Sequence, residues 1–151
     1  MIECTSINGY KKMVPVEELS FRPGAYAVII NDGKVLLVTA ESNNKYYFPG
    51  GGIKLGETIE ATLKRESEEE TGLKIEVGKF INFKEQFIYY DHWDKAYHNF
   101  AFFYLCKPLS IDLDNIVDDG TKQPRWVELV TLDKKQCGGS VVEILQHLQV
   151  I

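Results

Sequence analysis

The chain has 151 residues, 44% of them hydrophobic and 26% charged, which is enough apolar material to bury a core and too much for a disordered polymer. It has no apolar run near the ~20 residues that a bilayer span requires, and its first residues (Met1-Ile2-Glu3-Cys4-Thr5) lack the layout of a secretory signal, so a cytoplasmic protein with no membrane partner is expected. Cys4, Cys106 and Cys137 are odd in number, widely spaced and without a CxxC pair, which argues against both a disulfide framework and a cysteine metal site.

Net charge is −5, and most of it sits in one place. Between residues 57 and 70, six acids (Glu57, Glu60, Glu66, Glu68, Glu69, Glu70) meet two bases (Lys64, Arg65), leaving four net negative charges there and about one elsewhere. Long nucleic acid is not an expected partner, because binding it needs a basic face to displace phosphate counterions. A small anion approached through a divalent cation remains compatible.

Taken in order, Ala25 to Ile30 and Lys34 to Thr39 are β-branched apolar runs around Asn31-Asp32-Gly33, the pattern of a hairpin. A loop from Glu41 to Lys45 leads to a short strand, Tyr46-Tyr47-Phe48, stopped by Pro49 and three glycines. Thr58 to Thr71 has helical periodicity, with Thr58 as N-cap, Glu60 in the first turn and Gly72 as the stop. Leu73 to Val77, Lys79 to Tyr90 and Asn99 to Cys106 read as strands, the last two joined by a polar loop from Asp91 to His98. An acidic irregular stretch, Ser110 to Gln123, precedes a strand from Arg125 to Leu129. A closing amphipathic helix, Ser140 to Gln149, puts Val141, Ile144, Leu145 and Leu148 on one side and carries a structural His147. No repeat or linker divides the chain, so one domain over 1–151 is expected: an α/β (α+β) fold with a mixed β-sheet covered by helices on both faces.

The helix after Thr58 carries the chemistry. Setting Glu66 at zero and stepping ~100° per residue, Ile59 falls near 20°, Leu63 near 60°, Glu69 near −60° and Glu70 near 40°, while Lys64 and Glu68 point the opposite way. Three carboxylates thus continue the apolar side, where like charges at this spacing repel. That arrangement calls for a compensating cation, and hard oxygens without His or Cys suit Mg²⁺ or Mn²⁺. Gly50-Gly51-Gly52 ahead of the helix reads as a turn that permits close backbone approach, so that a carbonyl can join the metal ligands.

These residues form a known signature. Gly51, five residues, Glu57, seven residues, Arg65-Glu66, then Ser67-Glu68-Glu69-Glu70-Thr71-Gly72-Leu73 resembles the Nudix box, G-x5-E-x7-R-E-U-x-E-E-x-G-U with U a bulky aliphatic. All seven fixed residue types match, and Ser67 departs from the aliphatic at the first U position. The Phe48-Pro49-Gly50 entry and the Trp126-Val127 strand also look like the family, a MutT-like group of hydrolases.

The resemblance implies an α/β/α sandwich and Mg²⁺-dependent hydrolysis of a phosphoanhydride bond in a nucleoside diphosphate linked to a further group. It implies that Glu66, Glu69, Glu70 and the Gly50 carbonyl bind metal, that Glu57 and Arg65 form an ion pair, and that Glu66 or Glu69 is the catalytic base unless a later residue such as Asp118 or Asp119 serves. Arg22, before the first core strand, is a candidate phosphate clamp. Tyr89 and Tyr90, placed past the box much as in the dinucleoside-polyphosphate branch, are candidate base contacts, as are the rings of His92, Trp93, Tyr97 and His98.

Nucleoside triphosphates are the expected substrates on family breadth. Dinucleoside polyphosphates, nucleotide sugars and ADP-ribose are alternatives, as is a nucleotide-binding module without turnover, and a homodimer is compatible with everything above.

Overall fold

A computed structural model gives the fold and describes residues 1–113 and 122–151. Among these residues nine strands form a mixed sheet. The strands are β1 (Ile2–Ser6), β2 (Lys11–Val14), β3 (Leu19–Asn31), β4 (Lys34–Ala40), β5 (Tyr46–Tyr47), β6 (Gly50–Gly52), β7 (Ile75–Tyr90), β8 (Lys95–Pro108) and β9 (Lys122–Glu128). Two helices, α1 (Ile59–Thr71) and α2 (Val141–His147), complete it. The hydrogen-bonded order is β2-β1-β7-β8-β3-β4-β5, with β6 also on β3 and β9 also on β4. Pairings β1–β7 and β3–β8 are parallel and the rest antiparallel.

The expected β3–β4 hairpin closes through Asp32 and Gly33, both at positive φ, between the pairs Asn31–Lys34 and Ile30–Val35. Beyond its tip the hairpin opens. β3 continues against β6 through Gly24–Gly52, Ala25–Gly51 and Tyr26–Gly50, while β4 pairs with β9 and β5. This split creates the cleft of the molecule.

Because β3 alternates, its two rows of side chains enter different cores. Ala25, Ala27 and Ile29 pack with Leu36, Leu63 of α1, Leu73, Ile75 and Cys106. Val28 packs with Val35, Leu37, Phe48, Ala101 and Phe103 against Val141, Ile144 and Leu145 of α2. The helices therefore lie on opposite faces, as the sequence implied. α1 covers only part of its face, however, and leaves Phe21, Phe80 and Phe83 exposed beside His98, Phe100, Phe102 and Tyr104.

Several boundaries differ from the sequence reading. Leu73–Val77 and Lys79–Tyr90 are not separate strands, because β7 runs through Gly78 with register shifts against one partner, β8. The loop expected from Asp91 to His98 shrinks to a one-turn 3-10 helix, Asp91–Trp93, followed by Asp94 in the left-handed region. The glycine triplet is a short strand rather than a free turn. The β1–β2 hairpin had no strong local signal, and β1 gains its place by pairing with β7 more than eighty residues away.

α1 starts at Thr58, whose Oγ1 accepts from the Ala61 N–H at 3.1 Å, and ends at Gly72 in the left-handed region, donating to the Glu68 carbonyl. Within it Ser67 is fully buried and its hydroxyl meets no hydrogen-bond partner among the described residues. A buried hydroxyl left unpaired costs about 1–3 kcal/mol. Ser67→Ala is therefore expected to stabilise the fold by about 1 kcal/mol, raising the melting temperature by roughly 2–4 °C. A thermal melt in which the variant unfolds earlier than wild type would contradict this account of Ser67.

Candidate active site

The site is assembled around one guanidinium. Arg65, on α1, uses all five of its N–H donors. Nε donates to Glu57 Oε2 at 2.7 Å, Nη2 to Glu57 Oε1 at 2.9 Å and to the Gly52 carbonyl at 3.2 Å, and Nη1 to Glu66 Oε1 at 2.8 Å and Glu69 Oε2 at 3.3 Å. Glu57 also accepts from Thr62 Oγ1 at 2.6 Å and the Lys54 N–H at 3.2 Å. Arg65 first, then Thr62, hold the Glu57 carboxyl well below the usual carboxylate range, and the same hydrogen bond raises Arg65 above its ordinary value.

The carboxylates of α1 take three different positions. Glu70 is buried at 2% exposure, and the Gly50 N–H donates to its Oε2 at 3.3 Å. Glu66 lies against Gly51, so closely that a Cβ on that glycine would sit 2.7 Å from Oε1. Glu69 is half-exposed and does not line the cavity that Glu66 and Glu70 enter. Gly50 itself, at φ +155°, has no room for a side chain, since a Cβ there would lie 2.3 Å from the Ala25 carbonyl oxygen. The β3–β6 pairing thus presses the glycine backbone onto the acidic side of α1.

The sequence reading left the repulsion among these carboxylates to a divalent cation alone. The structure corrects that: Arg65 screens Glu66 and Glu69 from within the protein. With the side chains so placed, no three His, Cys, Asp or Glu groups among the described residues converge as an ion-binding cluster.

Glu66, Glu70 and Gly50 to Gly52 line a cavity of about 1170 Å³ in the cleft between the two halves of the sheet. Arg22 is in the same cavity, packed beside Gly52, with Nη1 donating to Tyr26 Oη at 3.1 Å and Asn99 Oδ1 at 3.3 Å. Its hydrogen-bond partners among the described residues are neutral. Tyr90 also lines the cavity, and burial pushes its phenol up to about 12, so it is uncharged near neutral pH.

Tyr89 is not brought to the cavity. Strand alternation sends it to the other face of β7, where it is buried with Cys4, Val14 and Ala96, with its hydroxyl donating to Asp94 at 2.5 Å. His98 also faces away, stacked on Phe87 at 4.4 Å and bonded to Glu85. Asp118 and Asp119 lie outside the described residues. Tyr26 and Asn99 were missed by sequence reasoning, and the available signal was parity: Asn99 shares a side of β8 with the buried Ala101 and Phe103.

The NUDIX domain family model matches residues 20–143, and the chain belongs to the Nudix family of hydrolases. Among curated proteins, an RNA pyrophosphohydrolase of Acinetobacter baylyi is 42% identical over 59 residues, 38% of this chain and 36% of that protein. A MutT-like protein of Streptomyces ambofaciens is 40% identical over 53 residues, 35% of this chain and 34% of that one. The matched region thus spans little more than a third of the length of these relatives. Among solved structures, a MutT NUDIX hydrolase from Burkholderia pseudomallei superposes with a TM-score of 0.70 at 22% identity, covering 85% of this chain and 98% of that one. An ADP-ribose pyrophosphatase from Streptococcus suis gives 0.64 at 17% identity, covering 85% and 90%. At these identities the likeness is one of fold.

Two outcomes test the geometry. Glu57→Gln is expected to lower the melting temperature at pH 7. The gap to wild type should narrow below about pH 4, where the unfolded chain takes up a proton that folded Glu57 still excludes. Melts between pH 7 and 3 measure this, and a pH-independent gap would remove charge as the cause. Gly51→Ala should displace the flexible Glu66 carboxylate rather than the backbone, lowering hydrolytic turnover about 10- to 100-fold with little change in melting temperature. Unchanged turnover would show that the position of Glu66 is immaterial.

Proposed function

We propose that this enzyme hydrolyses a phosphoanhydride bond in a nucleoside diphosphate linked to a further group, using Mg²⁺ or Mn²⁺, with nucleoside triphosphates as the first substrates to test. The observation that carries the reading is the meeting of Glu66, Glu70 and the Gly50–Gly52 backbone on one side of a cavity that holds Arg22 beside them. A bound divalent cation would neutralise diphosphate charge and acidify a water. Glu66, Glu69, Glu70 and the Gly50 carbonyl are the ligands we assign to it, an all-oxygen set that suits a hard ion. Arg65 holds only Oε1 of Glu66 and Oε2 of Glu69, so an ion can take the other oxygen of each carboxylate while the guanidinium stays in place.

The remaining roles belong to this chain's side chains. Arg22, pre-set by Tyr26 and Asn99, clamps a phosphate oxygen. Glu66 or Glu69 takes the proton of the attacking water, with Asp119 as the alternative base. Tyr90 contacts the nucleoside as a neutral ring.

A second reading is favoured by one finding, the likeness to an RNA pyrophosphohydrolase of Acinetobacter baylyi: pyrophosphohydrolysis of RNA. Among the described residues that line the cavity, Arg22 and Lys45 are the only Lys or Arg, which supports a short substrate over a long polyanion.

A panel of nucleoside triphosphates, dinucleoside polyphosphates, nucleotide sugars, ADP-ribose and 5′-triphosphorylated RNA, with Mg²⁺, Mn²⁺ or EDTA, tests both readings. Metal-dependent release of phosphate or pyrophosphate from a mononucleotide is the expected result. Glu69→Gln should cut that turnover by roughly 10²- to 10⁴-fold without lowering the melting temperature in EDTA. Turnover equal to wild type would take Glu69 out of the mechanism.

A further inference from the structure

The turn between β7 and β8 presents an exposed indole on a rigid mount. Trp93 is 51% exposed, yet its ring stacks on Tyr90 with centroids 4.9 Å apart and planes at 26°, and His92 lies 4.5 Å from it. Both ends of the turn are tied down. Asp91 accepts from the hydroxyls of Ser6 and Tyr10, while Asp94 accepts from Tyr89 Oη and pairs with Lys12 at 3.9 Å. A backbone bond from Ile7 N–H to the Tyr89 carbonyl fixes the β1–β2 hairpin to the same spot.

An indole left half in water on a turn anchored at both ends contributes little to the core. A planar ligand laid on it, by contrast, would pay little ordering entropy. Trp93, His92 and Tyr90 line the same cavity as Arg22 and the glutamates of α1. Among the described residues that lining has no Lys or Arg apart from Arg22 and Lys45, whereas Glu3 and Glu41 add to its acids. A second heavily phosphorylated group would be repelled at the rim, and a neutral heterocycle would not.

We infer that Trp93, backed by Tyr90, is the platform on which the base of the substrate's nucleoside stacks. This rests on the phosphoanhydride hydrolase reading above. The sequence placed Trp93 in a set of loop rings with Tyr97 and His98; the structure separates it from them, since His98 is on the outer face and Tyr97 meets Tyr90 edge-on.

The test uses ADP, GDP and inorganic pyrophosphate as probes. Trp93 and Trp126 are the two tryptophans of the chain, and Trp126 donates to the Ile111 carbonyl and packs with the α1 core. Fluorescence should be quenched by ADP and GDP but not by pyrophosphate, and Trp93→Phe should remove the quenched component. In calorimetry Trp93→Ala should weaken ADP binding about 5- to 100-fold, the range for losing one stacked base, with pyrophosphate affinity unchanged and the kinetic loss in KM more than kcat. Trp93→Phe should restore affinity. Phe83→Ala, an equally exposed ring outside the cavity, is the control expected to match wild type.

Equal ADP affinity in wild type and Trp93→Ala, or quenching by pyrophosphate as strong as by ADP, overturns the platform. If no nucleotide in the panel is turned over while ADP still quenches Trp93, the hydrolase reading fails and the base subsite stands.

Discussion

The five hydrogen bonds of Arg65 hold the site in its form. A planar guanidinium can meet two oxygens of one carboxylate and still reach three other acceptors, a geometry that a lysine ammonium cannot reproduce. Here it joins the loop residue Glu57, the strand carbonyl of Gly52 and two carboxylates of α1 in one fork. Arg65 and Glu57 are mostly shielded, at 21% and 15% side-chain exposure, so the contacts work in a medium that screens them less than water does. With Arg65 in place, α1 carries Glu66 and Glu70 towards the cavity and Glu69 half-exposed beside them. A cation held as proposed above would share Glu66 and Glu69 with the Arg65 guanidinium.

The second constraint is steric and comes from β3. One of its rows of side chains supplies the α1 core through Ala25, Ala27 and Ile29, and the other supplies Arg22 and Tyr26 to the cleft. Small residues at Ala25 and Ala27 let α1 approach the sheet, and the bare backbone of Gly50 and Gly51 lets β6 lie between β3 and the carboxylates. The approach of Glu66 to Gly51 is a packing fact with a chemical result, because it aims the carboxylate into the cavity instead of into solvent.

The two faces of the β7–β8 hairpin are put to different uses. One carries Tyr90 and Asn99 into the cavity, and the other carries Tyr89, His98 and Phe83 outward. Adjacent residues with similar chemistry, Tyr89 and Tyr90, thus end with unrelated surroundings. In a linear reading they were equivalent candidates.

What the amino-acid order determined by itself is local. Spacing at 3.6 residues put Glu66 and Glu70 on the apolar side of a helix with Glu69 half-exposed at its edge, Thr58 and Gly72 marked its ends, and Asn31-Asp32-Gly33 marked a hairpin, since each signal needs only neighbours within one turn of the chain. The pairing of Glu57 with Arg65 was legible through the family pattern, eight residues apart. Tertiary structure alone decided which of Tyr89 and Tyr90 faces the cleft, that Arg22 finds Tyr26 and Asn99, that the glycine triplet is a strand, and that the first hairpin docks on β7. Those outcomes depend on strand register and on contacts between residues dozens of positions apart, and register is set by the burial of whole faces rather than by any one segment's preference.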